Sequence, residues 1–133
     1  MTKIQRIISQ DVGEPPAETW SNCLVAGNQV FIAGMTARSA EFDTVSDGAE
    51  YEQAKAIFTK IQNLMTAAGG TMADIVKVNI FVTDITKRKE VWRARAEFFS
   101  GNFPVSTLVE VSALALPEML VEVEAVGFIG GGS

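Results

Sequence analysis

A chain of 133 residues, 47% hydrophobic and 20% charged, fits one domain with one buried core and leaves no room for a second. Its net charge of −5, with no basic run longer than Lys87-Arg88-Lys89, argues against nucleic acid as a partner, because such binding uses lysine and arginine to neutralise phosphates. Histidine is absent and Cys23 is the only cysteine, which excludes an intramolecular disulfide, Ser-His and Cys-His catalysis and a multi-cysteine zinc site.

No apolar run approaches the roughly 20 residues that cross a bilayer, and the first residues lack the apolar core of a secretory signal. A soluble, cytoplasmic protein without a membrane partner is expected. Residues 1–129 should form the domain, and Gly130 to Ser133 a flexible tail. Any catalysis must come from carboxylates, cationic side chains, hydroxyls, backbone amides or a bound water, and no metal site is expected.

Residues 4–9 allow a first strand, and Pro15-Pro16 marks the loop after it. Residues 20–26 and 29–33 are apolar runs separated by Gly27-Asn28, a pair suited to the positive φ angles of a tight hairpin, so they should pair antiparallel. Ala54, Ile57, Phe58, Ile61, Leu64, Met65 and Ala68 then recur at spacings of three and four, the stripe of a long amphipathic helix. Asp47 with Glu50 resembles an N-terminal capping pair, and Gly69-Gly70 supplies a left-handed stop.

Val76, Val78, Ile80 and Val82 alternate with Lys77, Asn79 and Phe81, the period of a strand with two unlike faces. Val91, Ala94, Arg95 and Phe98 return to helical spacing, and residues 107–111 and 120–128 read as the last two strands. The order predicts an α+β protein, a six-stranded mixed sheet with both helices on one face. In the final strand Val121, Val123 and Ala125 point one way, while Glu122 and Glu124 point the other, roughly 7 Å apart. Those carboxylates share their face with Phe81, Leu120 and Val126. An apolar sheet face of this kind commonly marks an interface, and a carboxyl sheltered beside one is raised toward neutral pH, where it can serve as a general acid or base. A plainly solvated face is the alternative.

Five segments together resemble one family. They are Gly69-Gly70 with Asp74 and the strand Ile75-Val76-Lys77-Val78-Asn79-Ile80-Phe81-Val82; Phe98-Phe99; Phe103-Pro104; Val109-Glu110-Val111; and Val121-Glu122-Val123-Glu124-Ala125. In order and spacing they are similar to the Rid family, reactive intermediate deaminases also called YjgF/YER057c/UK114, over residues 20–128. The resemblance implies a fold like that of small chorismate mutases and a homotrimer with small-molecule clefts between subunits. In the best-known branch these clefts hydrolyse enamines or imines to a keto acid and ammonia, without a cofactor.

The resemblance also implies site residues. Glu122 matches the acidic residue that orients the attacking water, Trp20 falls at a cleft aromatic, and Gly34 keeps the turn that approaches the ligand. Met35 replaces a polar residue, and Trp92 an asparagine, so the pocket becomes more apolar. The branch pattern Phe-Pro-Ala-Arg-Ser reads here Phe103-Pro104-Val105-Ser106-Thr107, so Ser106 stands where a carboxylate-gripping guanidinium is expected. Losing such a pair in a buried site forfeits on the order of 2 to 5 kcal/mol.

A reoriented carboxylate could instead be met by Arg38, on a loop expected near the cleft, or by Arg93 or Arg95 on the second helix, although those two more often form solvated helix pairs with neighbours such as Glu90 and Glu97. Each candidate also has a structural reading: Trp20 and Trp92 as core or interface anchors, Met35 as filler, Ser106 as a small turn residue, Thr107 as a β-former and Cys23 as a small buried hydrophobe. Two functions stay open: a hydrolase in which Glu122 and the amides near Ser106 and Thr107 act on a carbon–nitrogen bond, and a module that binds a metabolite or protein without turnover. RNA cleavage, an older label in this family, fits the acidic charge and missing histidine poorly.

Overall fold

The computed structural model describes residues 3–39 and 48–132. Six strands, β1 (Ile4–Arg6), β2 (Cys23–Ala26), β3 (Gln29–Met35), β4 (Ile75–Val82), β5 (Val105–Glu110) and β6 (Val121–Phe128), form one sheet in the order β1-β2-β3-β6-β4-β5. Only β4 and β5 pair in parallel, so the sheet is mixed. Helices α1 (Glu50–Ala67) and α2 (Arg88–Ala96) make the two crossovers and cover one face. The expected α+β architecture is the observed one.

The hairpin between β2 and β3 turns at Gly27, whose φ of 65° suits a residue without a Cβ. The first of these strands, β2, begins at Cys23, not Trp20, because the chain before it is still turning. Helix α1 buries Ile57, Phe58, Ile61, Leu64 and Met65 completely, each worth about 1.5 to 3 kcal/mol of transfer free energy. Its stop is as expected: Gly69 has φ 91°, and the Gly70 N–H returns to the Met65 carbonyl at 2.8 Å. Asp47, the expected cap, lies outside the described residues. The observed N-cap is Ala49, whose own N–H is taken by the Glu52 carboxylate at 3.0 Å.

One inward assignment changes. Val76 was expected to face the core, yet it is exposed and Ile75 is buried in its place. The β4–β6 register shifts between Ile75 and Lys77, and the Asp74 carbonyl approaches to 2.8 Å from where a Cβ on Gly127 would sit. A bulge closed against a glycine thus adds one residue and reverses the alternation at the strand's start. Beyond it, Val78, Ile80 and Val82 point inward as their spacing requires.

Asp74 anchors the turn that precedes β4. Its buried carboxylate accepts the N–H of Thr71 and that of Gly132, each at 2.9 Å, so glycines 130–132, expected as a free tail, run against this turn. Burial alone would raise its pKa, but the N–H groups of Gly132, Thr71 and Gly130 outweigh it and hold the carboxyl below its ordinary value. A depressed carboxyl stabilises the fold above its unfolded pKa and loses that contribution as pH falls through the folded one. Asp74→Ala should therefore cost about 2 kcal/mol in urea unfolding at pH 7, and the gap to the parent should narrow under acid.

Candidate functional site

All but one of the residues named from the sequence fall into two clefts, one beside β3 and β6 and the other beside β5. The first, of about 130 Å³, lies where the end of β3 meets α1, β6 and the loop before β2. Trp20, Gly34, Met35, Arg38 and Glu122 all line it. A register shift between β3 and β6 at Ile32 and Met35 brings Gly34 against Glu122, such that a Cβ on Gly34 would lie 2.6 Å from Glu122 Oε2. The glycine is required by that close approach. Glu122 pairs with Phe81 across β6 and β4 and is half-buried; burial, with the Glu124 charge second, pushes its carboxyl above the usual value.

Lys60 was not anticipated. It sits on α1 beside the fully buried Ile61 and reaches into the same cleft, where its ammonium donates to the carbonyls of Thr36 at 2.8 Å and Arg38 at 2.5 Å. Burial, then the Arg38 charge, lowers its pKa. The lysine thus pins the segment carrying Arg38. The sequence signal was a lone cation at the edge of the apolar stripe, a position usually solvated. Asn22, also unanticipated, is buried at the cleft wall, its amide donating to the Gly13 carbonyl at 2.9 Å.

The second cleft, of about 380 Å³, lies between α2 and β5, and includes Trp92 and Ser106 together with Arg88 and Arg95. Ser106 pairs with Val78, whose side chain is on the helix-covered side, so the serine turns toward α2 and away from the face that carries Glu122. Arg93 pairs with Glu90 at 2.9 Å, as the helix spacing predicts, but Arg95 does otherwise and donates to the Ser106 hydroxyl at 2.9 Å. Thr107 alternates to the other face, in the row of Asn79 and Glu124, and lines neither cleft. Within one chain, therefore, the amides near Ser106 and Thr107 do not adjoin Glu122.

The helix-free face mixes apolar side chains with Lys77, Asn79, Thr107, Glu122 and Glu124. Phe31, Val105, Val109 and Phe128 are exposed on it beside half-buried Phe81 and Val126. Cys23 is fully buried, and burial pushes its thiol up to about 11, so it stays protonated and inert at neutral pH. Among the described residues no group of three or more Cys, Asp or Glu could hold a metal, and no helix is long and apolar enough to cross a membrane.

The family model for endoribonuclease L-PSP matches residues 12–129. The chain belongs to this family, the Rid or YjgF group. Among curated relatives, the 2-iminobutanoate/2-iminopropanoate deaminase of Dermatophagoides farinae is 29% identical over 122 residues, covering 92% of this chain and 94% of that protein. Among solved structures, a protein of unknown function from Pseudomonas aeruginosa has a TM-score of 0.87 at 39% identity, covering 98% of this chain and 95% of that one. RidA from the Antarctic bacterium Psychrobacter sp. PAMC 21119 has a TM-score of 0.83 at 29% identity, covering 94% and 99%. The Rid fold is thus shared along nearly the whole chain.

A Rid-family carboxyl raised in the folded state has a thermodynamic signature. Above the unfolded pKa the folded protein holds its proton longer, so Glu122 costs stability as pH rises through the raised value. Glu122→Gln should therefore unfold at higher urea than the parent at pH 8, and the difference should vanish at pH 4.

Proposed function

We propose that this Rid-family chain assembles as a cytoplasmic homotrimer through the helix-free sheet face and hydrolyses an imine or enamine in clefts shared between subunits, without a cofactor. The exposed Phe31, Val105, Val109 and Phe128 support the assembly, since large apolar side chains on a sheet face are costly to leave in water.

The observation that carries the catalytic reading is Glu122, half-sheltered in a cleft and raised above the ordinary carboxyl value. In its ionised form it takes a proton from water as the oxygen attacks the carbon of a C=N bond. That proton passes to nitrogen, giving a carbinolamine; Glu122 then takes the hydroxyl proton and delivers it to nitrogen as the C–N bond breaks, so the oxygen becomes the carbonyl and ammonia leaves. Trp20 and Met35 supply an apolar wall, Gly34 leaves room for the ligand, and Lys60 holds Arg38 at the rim. The deaminase activity named for the mite relative is the same reaction class. A metabolite- or protein-binding module without turnover is the second reading, favoured by Ser106 standing where the deaminase branch has arginine.

The test is release of ammonia from 2-iminobutanoate or 2-iminopropanoate generated in place by an amino-acid-consuming enzyme. Glu122→Gln should lower turnover by about 10² to 10⁴ and keep the trimer seen by light scattering. The parent's rate should fall on acidification through a pKa above the ordinary glutamate range. A Glu122→Gln variant as active as the parent would remove the catalytic role, and a parent that binds but never turns over would leave the binding module.

A further inference from the structure

We propose that Lys60 is a nucleophile that captures a small aliphatic aldehyde as a Schiff base in the β3–β6 cleft. The inference goes beyond the hydrolase reading and does not need it, since the ligand is an aldehyde and the attacking group is an amine. Its ground is how that amine is held. Lys60 lines the cleft and donates to two carbonyls, those of Thr36 at 2.8 Å and Arg38 at 2.5 Å. A neutral amine has two N–H groups, so both are engaged while the lone pair is left for an electrophile. An ammonium carries a third N–H, which meets no acceptor among the described residues.

Its setting separates Lys60 from the other lysines. Lys3, Lys55, Lys77, Lys87 and Lys89 are exposed, and Lys55 pairs with Glu97 at 3.8 Å. Lys60 is partly buried and has no ion pair among the described residues. Burial, then the Arg38 charge, holds its pKa below the ordinary lysine value, which enlarges the share of free amine at neutral pH. Desolvation beside a second cation is a general way to ready a lysine for attack on a carbonyl carbon.

The cleft supplies the rest. Trp20, Met35 and Met119 offer an apolar wall to a short alkyl chain, and the charged groups lining the site are Arg38, Lys60 and Glu122. In the condensation the Lys60 lone pair bonds to the aldehyde carbon, the C=O π pair moves to oxygen, and a proton passes from nitrogen to that oxygen, giving a carbinolamine. Glu122, its carboxyl kept protonated to higher pH by burial, gives its proton to the hydroxyl. Water leaves as the nitrogen lone pair closes the C=N bond, and the iminium N–H proton returns to Glu122. One aldehyde and one amine thus yield one Schiff base and one water. Capture gives up at least one of the two carbonyl bonds, because the product nitrogen carries at most one N–H.

The test treats the full chain with propanal and sodium cyanoborohydride, which reduces the C=N bond to a stable secondary amine, and maps the modified lysines by mass spectrometry. Lys60 should be alkylated at least about tenfold faster than any exposed lysine, with a rate that saturates as propanal rises. K60R, which keeps a cation with N–H donors for the two carbonyls, should lose the fast phase and keep the slow labelling of exposed lysines. The proposal is overturned if Lys60 is labelled no faster than the exposed lysines, if its rate stays linear in propanal, or if the fast phase persists in K60R; Lys60 is then a structural pin alone. Should K60R fail to fold, the site map of the parent decides. Ammonia release from an imine is measured separately: capture without hydrolysis sinks the hydrolase reading alone, and hydrolysis without capture sinks this inference alone.

Discussion

The strongest constraint in this molecule is the burial of one face of the β6–β4 pair beneath α1. Val121, Val123 and Ala125 on β6, with Val78, Ile80 and Val82 on β4, are sealed against Ile57, Phe58, Ile61 and Leu64. Because side chains alternate with period two, sealing one face dictates the other: a slip of one residue would bury Glu122 and Glu124 and expose the valines. The outward direction of Glu122 is thus a consequence of core packing. Its partly sheltered setting comes from Gly34, whose missing Cβ lets the carboxylate settle against the β3 backbone.

The same sheet keeps two chemistries apart. The β3–β6 cleft holds the raised carboxyl of Glu122 with a lysine and an arginine, suited to moving a proton. The α2–β5 cleft holds arginines and a tryptophan, suited to holding an anion. Serine at position 106 matters for this division, because a short side chain there gives a helix-borne guanidinium space to lie against the strand.

The elements were legible because their signals are local. Heptad-like spacing marked α1, strict alternation marked the middle of β4 and all of β6, and Gly27-Asn28 marked the hairpin. The errors came where a distant contact overrides alternation. Val76 reads as an inward residue until the Asp74 carbonyl packs against Gly127, and Trp20 reads as strand until the chain is seen still turning before Cys23. At the site, Glu122 and Gly34 could be named from their strand positions and the family resemblance. Lys60 and Arg95 could not be placed, since a cation on an amphipathic helix is by default solvated and each finds its partner on a strand or loop remote in sequence.

By itself, then, the sequence determined the fold class, the division of the final strand into an apolar and an acidic face, and the exclusion of histidine and intramolecular disulfide chemistry. Those follow from residue types and from periods of 2 and 3.6, which act over a few neighbours. Tertiary structure alone decided which candidates share a cleft: Trp20, Gly34, Met35 and Arg38 around Glu122, Trp92 and Ser106 with Arg95, and Thr107 in neither. The reason is geometric. Which side of a sheet a residue occupies is set by register and bulges between strands far apart in sequence, and these are fixed only when the whole core closes.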